Sequence, residues 1–276
     1  MKPPAYQAPT SLSPSRVEQF TSCPLAFRFA SIEKLPEAPG IHTTRGSLVH
    51  RALELAYSGP AAERTADLFH RALDAARAEF REHPDFTGLG LTSDEIEEFD
   101  ADCRRLVDTY LRMEDPRAVH PIGLELRLSA GVGPLELRGI IDRLELRNGE
   151  LVVTDYKTGR APSLNWEQRS LAGVHFYSFL CERVFGRRPV AIRLMYLRSG
   201  ETIEAIPSEQ STRFITTRTT AVWKAVERAC ETGDFRPRPS ALCESCSFRS
   251  WCPAFGGDPD LAAVEAPAAY DVLVTA

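Results

Sequence analysis

The chain has 276 residues, a formal net charge of −5, 43% hydrophobic and 26% charged residues, and seven cysteines. This composition fits a globular protein of one large domain or two small ones, and it argues against a histone-like, generally basic nucleic-acid binder. It does not exclude a nuclease, because carboxylates gathered to hold metal ions count as negative charge and a local basic groove can coexist with an acidic total.

No apolar run approaches the ~18 residues of a membrane helix. The opening MKPPAYQAPTSLSPS lacks the apolar core of a secretion signal. A cytoplasmic location without membrane contact is therefore expected, and there cysteines read as metal ligands or buried residues before disulfides.

Residues 1–11 read as a disordered lead. Ser13 before Pro14 makes an N-cap and first-turn pair, so a short helix follows and ends near Cys23-Pro24. RGSLVHRALELAY (45–57) carries an apolar helical stripe, and 61–83 and 93–114 read as two further amphipathic helices. From 122 the texture changes: IGLELRLSAG and LELRGIIDRLELR alternate apolar and polar residues, as strands do. Asn148-Gly149 then separates two such runs, a strong hairpin signal. A helix over 166–185, a strand over 190–200 with GETIEAIPS as its hairpin partner, and a helix over about 208–232 follow. A cysteine-rich segment and an Ala- and Pro-rich tail from about 258 close the chain.

This order predicts an α/β fold, a mixed central β-sheet flanked by helices. The expected organisation is a single domain over 12–257. Within it lie a helical part (about 12–115), a core (about 120–205) and a C-terminal helix with a cysteine cap (about 208–257), before a flexible tail 258–276.

A two-residue loop at Asn148-Gly149 sets Arg147 opposite Glu150. Counting back along both strands puts Asp142 opposite Asp155, with Cβ atoms about 4.5–5.5 Å apart. Lys157 points from the same face as Asp155. Facing like charges are destabilising, and a divalent cation between them would compensate, Mg²⁺ and its kin preferring such oxygen ligands. The competing reading is a solvated row of charges with Lys157 paired to an aspartate. A metal held by two carboxylates also suits phosphodiester hydrolysis.

Cys243, Cys246 and Cys252 crowd into LCESCSFRSWC. Four thiolates suit either zinc or an iron–sulfur cluster, and three call for a fourth. Cys103, Cys181 and Cys230 sit on helical patterns among apolar neighbours and read as ordinary buried residues.

Gly139-Ile140-Ile141-Asp142, the hairpin, and Asp155-Tyr156-Lys157-Thr158 together resemble the nuclease core of the PD-(D/E)XK superfamily. The branch is the one containing the RecB and AddB nuclease domains and the CRISPR-associated adaptation nucleases. RGSLVHRALE resembles that branch's G-x-x-x-H segment, which makes His50 a metal ligand, and Glu125 resembles the glutamate of the preceding strand. Read without the resemblance, His50 is a partly buried histidine and Glu125 a polar tooth of an alternating strand. One element departs: the branch's Gln-x-x-x-Tyr helix keeps Tyr177, but Gly173 stands where the glutamine belongs and Gln168 lies too early.

The resemblance also supplies the fourth cysteine. A subset of the branch has one N-terminal cysteine, here Cys23, and three spaced C-x₂-C-x₅-C, which together bind a [4Fe–4S] cluster; zinc is the second candidate. Such a site would staple the first helix to the last segment.

The function implied is a metal-dependent DNA nuclease, an exonuclease acting on single strands or ends in repair or processing. His50, Asp142, Asp155 and the Tyr156 carbonyl would hold Mg²⁺ or Mn²⁺, Lys157 would position the water, and Glu125 and Tyr177 would support. There is no phosphate-loop motif, so unwinding would come from a helicase or repair partner. The alternatives are a spacer-adaptation nuclease, a non-catalytic DNA-end-binding iron–sulfur module, and a small-molecule enzyme or redox protein using the cluster for electron transfer.

Overall fold

The computed structural model describes residues 5–161 and 164–267, with 164–174 described by backbone alone. In chain order its elements are β1 (Ser11–Leu12), α1 (Pro14–Ser22), α2 (Pro24–Phe27), α3 (Ile41–Tyr57), α4 (Ala66–Phe80), α5 (Pro84–Thr87) and α6 (Ser93–Met113). Then come β2 (Pro121–Val132), β3 (Leu135–Arg147), β4 (Glu150–Lys157), α7 (Leu164–Phe185), β5 (Ala191–Tyr196), β6 (Glu201–Ala205) and α8 (Glu209–Thr232). The mixed sheet flanked by helices is as expected. The chain forms two compact units, one from Met1–Ala38, Ser129–Arg138 and Arg213–Ala276, the other from Pro39–Leu128 and Gly139–Thr212. The middle of the chain builds a core of its own, and the two ends build another.

In the unit of the chain ends, Ser13 caps α1 by accepting the Arg16 N–H, and Pro14 occupies the first turn, where no N–H is needed. β1 pairs in parallel with the start of β3, Ser11 against Glu136 and Leu12 against Leu137. The lead is tied down where it is described. Tyr6 donates its backbone N–H to Cys230, its ring meets Phe235 edge-on, and the Arg28 guanidinium lies over it at 4.9 Å. The tail is also engaged up to 267. Residues 262–267 are helical, Ala262 and Ala266 are buried, and Trp251 donates its indole N–H to Glu265. The expected disordered lead and flexible tail lie partly outside the described residues, at 1–4 and 268–276.

In the unit of the middle segment, β3 runs antiparallel to β4, β4 parallel to β5, and β5 antiparallel to β6. α7 is the crossover that a parallel β4–β5 pair requires. α3, α4 and α6 pack together over the sheet face carrying Tyr156 and Met195. α6 opens with a capping box between Thr92 and Glu95. α4 begins at Ala66 instead of 61, because Thr65 caps it after a short 3₁₀ turn. Asn148 (φ 51°) and Gly149 (φ 82°) both take the left-handed region, the conformation of a type I′ turn. The register follows: Arg147 pairs with Glu150, and the ladder runs back to Arg143–Thr154.

Candidate active site

The two glycines in the motif segments are there for space. A Cβ on Gly46 would stand 3.3 Å from Thr158 Oγ1, so α3 can lie close to the loop leaving β4. A Cβ on Gly139 would meet Leu180 Cδ1 at 2.8 Å, so α7 packs directly over β3 there. These approaches bring His50 from α3 and Tyr177 from α7 to the end of the hairpin.

One residue past the last ladder pair, the Asp142 carboxylate accepts the backbone N–H of Tyr156 at 2.6 Å through Oδ2. Its Oδ1 lies 3.6 Å from His50 Nδ1, and Glu125 Oε1 lies 3.7 Å from the same nitrogen. His50, Glu125 and Asp142 thus offer one ligand atom each, all within 4.8 Å of one another. His50 Nε2 lies 2.9 Å from the Tyr156 carbonyl. A carbonyl only accepts, so Nε2 carries a proton, and Nδ1 faces the two carboxylates, where a bound cation would take its lone pair in place of a second proton. Glu125 reaches the group from a strained backbone, φ 44° in an otherwise extended strand.

Asp155 is buried and held from two sides. Tyr177 donates its hydroxyl to Oδ1 at 3.0 Å, and Lys157 Nζ stands 2.5 Å from Oδ2. The placement differs from the expected ligand set in two ways. Glu125, expected only to support, joins His50 and Asp142, whereas Asp155 faces Lys157 and Tyr177; and the Tyr156 carbonyl serves as the acceptor for His50. Gly173 and Gln168 lie outside the described side chains.

Electrostatics follow from crowding. Burial pushes the Asp142 carboxyl up to about 7, against the opposing pull of His50. Burial works against a charged His50, but Asp142, the Glu125 hydrogen bond and Asp155 more than offset it and raise the imidazole to about 9. Lys157 is likewise held protonated by Asp155 in spite of burial. An imidazole nitrogen beside carboxylate oxygens fits a hard divalent cation, Mg²⁺ or Mn²⁺.

Behind the site lies a network that the sequence reading missed. Arg143, fully buried, donates to Glu114, Glu145, Thr154 Oγ1 and the hydroxyls of Tyr57, Tyr110 and Tyr156. Arg193 adds a second bond to Glu114 at 3.0 Å. Tyr156 is therefore fixed at its hydroxyl by Arg143, at its N–H by Asp142 and at its carbonyl by His50. The one signal in the sequence is that Arg143 faces Thr154 on the face opposite Asp142.

The model of the PD-(D/E)XK nuclease superfamily matches residues 11–253. The chain belongs to this superfamily. PD-(D/E)XK nucleases use divalent metals, and the His50, Glu125 and Asp142 group is one that could bind such an ion. The chain is 25% identical to the Gene 69 protein of Mycobacterium phage L5 over 291 aligned residues, covering 88% of this chain and 96% of that protein. The Gene 69 protein of Mycobacterium phage D29 is 24% identical over 264, with the same coverage. Among solved structures, a candidate exonuclease from Eubacterium rectale covers 86% of this nuclease and 87% of its own chain, at 10% identity and a TM-score of 0.47. Among the described residues no helix is long and apolar enough to cross a membrane.

The unit of the chain ends gathers the cysteines. Cys23, Cys243, Cys246 and Cys252 line one cavity, with Phe29 and Phe248 among its apolar walls. All four are free thiols. Burial raises the Cys246 thiol, the Phe248 backbone hydrogen bond lowers it, and the neighbouring Cys23, Cys243 and Cys252 raise it further. The remaining cysteines are inert by comparison: burial pushes Cys103 and Cys181 up to about 12 and Cys230 up to about 11.

Proposed function

We propose that this chain is a metal-dependent deoxyribonuclease acting on single strands or DNA ends, in DNA repair or processing. The observation that carries the reading is the convergence of His50, Glu125 and Asp142 beside an Asp155–Lys157 pair. His50 Nδ1, Asp142 and Glu125 would hold Mg²⁺ or Mn²⁺, with Asp155 the next carboxylate along the same face. A cation bound there would polarise a phosphoryl oxygen and lower the pKa of a bound water. Lys157, kept protonated by Asp155, is a poor proton acceptor; its role is to orient the attacking water and offset charge on the phosphate. Tyr177 holds Asp155 toward Lys157, and the Tyr156 carbonyl holds the His50 tautomer. Duplex unwinding would fall to a helicase or repair partner.

Cys23, Cys243, Cys246 and Cys252 would carry a [4Fe–4S] cluster as a long-range staple. One observation supports such a site: the four thiols line one cavity. Zinc would use the same four thiolates. Protein purified without oxygen should be brown with about four irons per chain; colourless, zinc-containing protein from iron-replete cells would refute the cluster.

The nuclease reading is tested by incubating anaerobically purified protein with end-labelled single- and double-stranded DNA and Mn²⁺, Mg²⁺ or EDTA. Cleavage with either metal, absent in EDTA and in a folded Asp155→Ala variant, is expected. Unchanged cleavage by that variant would overturn the assignment to this site.

A further inference from the structure

A groove of about 340 Å³ lies in the unit of the middle segment, lined by α6, by the turn after β5 and by Arg160. Arg105, Thr109 and Arg112 recur at helical spacing, so one face of α6 forms its wall. Arg198 faces them from the turn, and Thr109 Cγ2 would stand 3.5 Å from a Cβ on Gly200, which closes the turn onto the helix.

The charge of this groove is lopsided. Four arginines line it against two aspartates. Both aspartates are already engaged, Asp102 by Arg45, Arg105 and Arg198 and Asp108 by His70 at 2.7 Å. Arg112 donates only to Thr109, and neither Arg112 nor Arg160 has a carboxylate partner among the described residues. A purely structural ion-pair network would have matched its guanidiniums with acids. Here two remain for an outside anion, on a protein whose total charge is −5.

The groove is tied to the end of the strand that carries Asp155 and Lys157. Leu197, one of its lining residues, donates its backbone N–H to the Lys157 carbonyl at 2.8 Å. Arg160 is three residues beyond Lys157, so their Cα atoms are at most about 10 Å apart. That is about three nucleotide rises along one strand of a duplex.

We propose that this arginine groove binds the phosphodiester backbone of a nucleic-acid strand next to the bond being cut, Arg112 and Arg160 supplying the free guanidiniums. The proposal rests on the nuclease reading above, and it is tested without cleavage. Anisotropy of a 3′-fluorescein-labelled twelve-nucleotide oligothymidylate, with and without a 5′-phosphate, is measured in EDTA across a salt series. Arg112→Glu/Arg160→Glu should weaken binding of both oligonucleotides by at least about tenfold. The slope of log K against log salt should become shallower by about 1.4, the share of two single-strand phosphate contacts. The control Arg71→Glu/Arg81→Glu makes the same charge change at exposed positions outside the groove and should lose far less. Equal losses in both variants, an unchanged salt slope, or a loss confined to the 5′-phosphorylated oligonucleotide would each overturn the proposal, the last in favour of a terminal-phosphate pocket. Wild type and groove variant binding equally well would sink the groove alone, and wild type failing to bind any oligonucleotide would sink the nuclease reading with it.

Discussion

One hairpin presents two charged faces, and they are neutralised differently. On the face of Arg143 and Thr154, the carboxylates of Glu114 and Glu145 meet the guanidiniums of Arg143 and Arg193, and tyrosine hydroxyls accept further bonds from Arg143 Nη1. On the face of Asp142 and Asp155, three carboxylates with Glu125 meet one ammonium, Lys157, and one imidazole, His50. With His50 neutral, that leaves two negative charges, the charge of one divalent cation. Protons make up the deficit meanwhile: burial raises Asp142 to about 7, and His50, although burial opposes it, is raised to about 9 by the carboxylates around it. A buried charge cluster complete in side chains is structural; one short by two charges awaits an ion.

The contrast can be broken most severely at Asp142. Asp142→Asn keeps an acceptor for the Tyr156 N–H but removes a charge from the ligand group. Metal-dependent cleavage should fall by about 1,000-fold or more, about 4 kcal/mol of transition-state stabilisation, measured under single-turnover conditions with the fold checked by circular dichroism. On the other face, Arg143→Met should leave cleavage chemistry in place but strand Glu114 and Glu145. Losing one partner of a buried pair costs about 3–5 kcal/mol, which a lowered urea midpoint would report. Lys157→Ala should lose about 100-fold in turnover while keeping its Mn²⁺ affinity, so calorimetry beside a cleavage assay separates the two roles. The last test is pH, whose effect is small over any one unit and accumulates across the range. Since Asp142 and His50 must shed protons to ligate, Mn²⁺ affinity should rise from pH 6 toward pH 9, by up to about tenfold per unit for each proton displaced. A flat profile would mean that the ion binds elsewhere.

The hairpin face with Asp142 was legible because Asn-Gly is a local rule: both residues take positive φ, and the register follows by counting. The element order and the mixed sheet were legible for similar reasons, period and turn chemistry being local. Arg143 was not, since an arginine in an alternating strand reads as a solvent tooth until Tyr57 and Tyr110 arrive from distant helices to bury it. Glu125 as a ligand candidate hides in a backbone strain that no neighbour in sequence announces. The contacts of Tyr6 with Phe235 and Arg28 were not legible either, because their partners lie far along the chain.

The central claim is that the Asp142 face is two charges short and is completed by a divalent cation. It is met most directly by melting wild type and Asp142→Asn at pH 8, above the Asp142 pKa, with and without Mn²⁺. Without metal the variant should melt at or above wild type, because a buried like charge is gone. Mn²⁺ at about 100 times its dissociation constant should stabilise wild type by about 2.7 kcal/mol and leave the variant nearly unmoved, reversing the order. Wild type that gains nothing from Mn²⁺, or a variant that gains as much, would contradict the account.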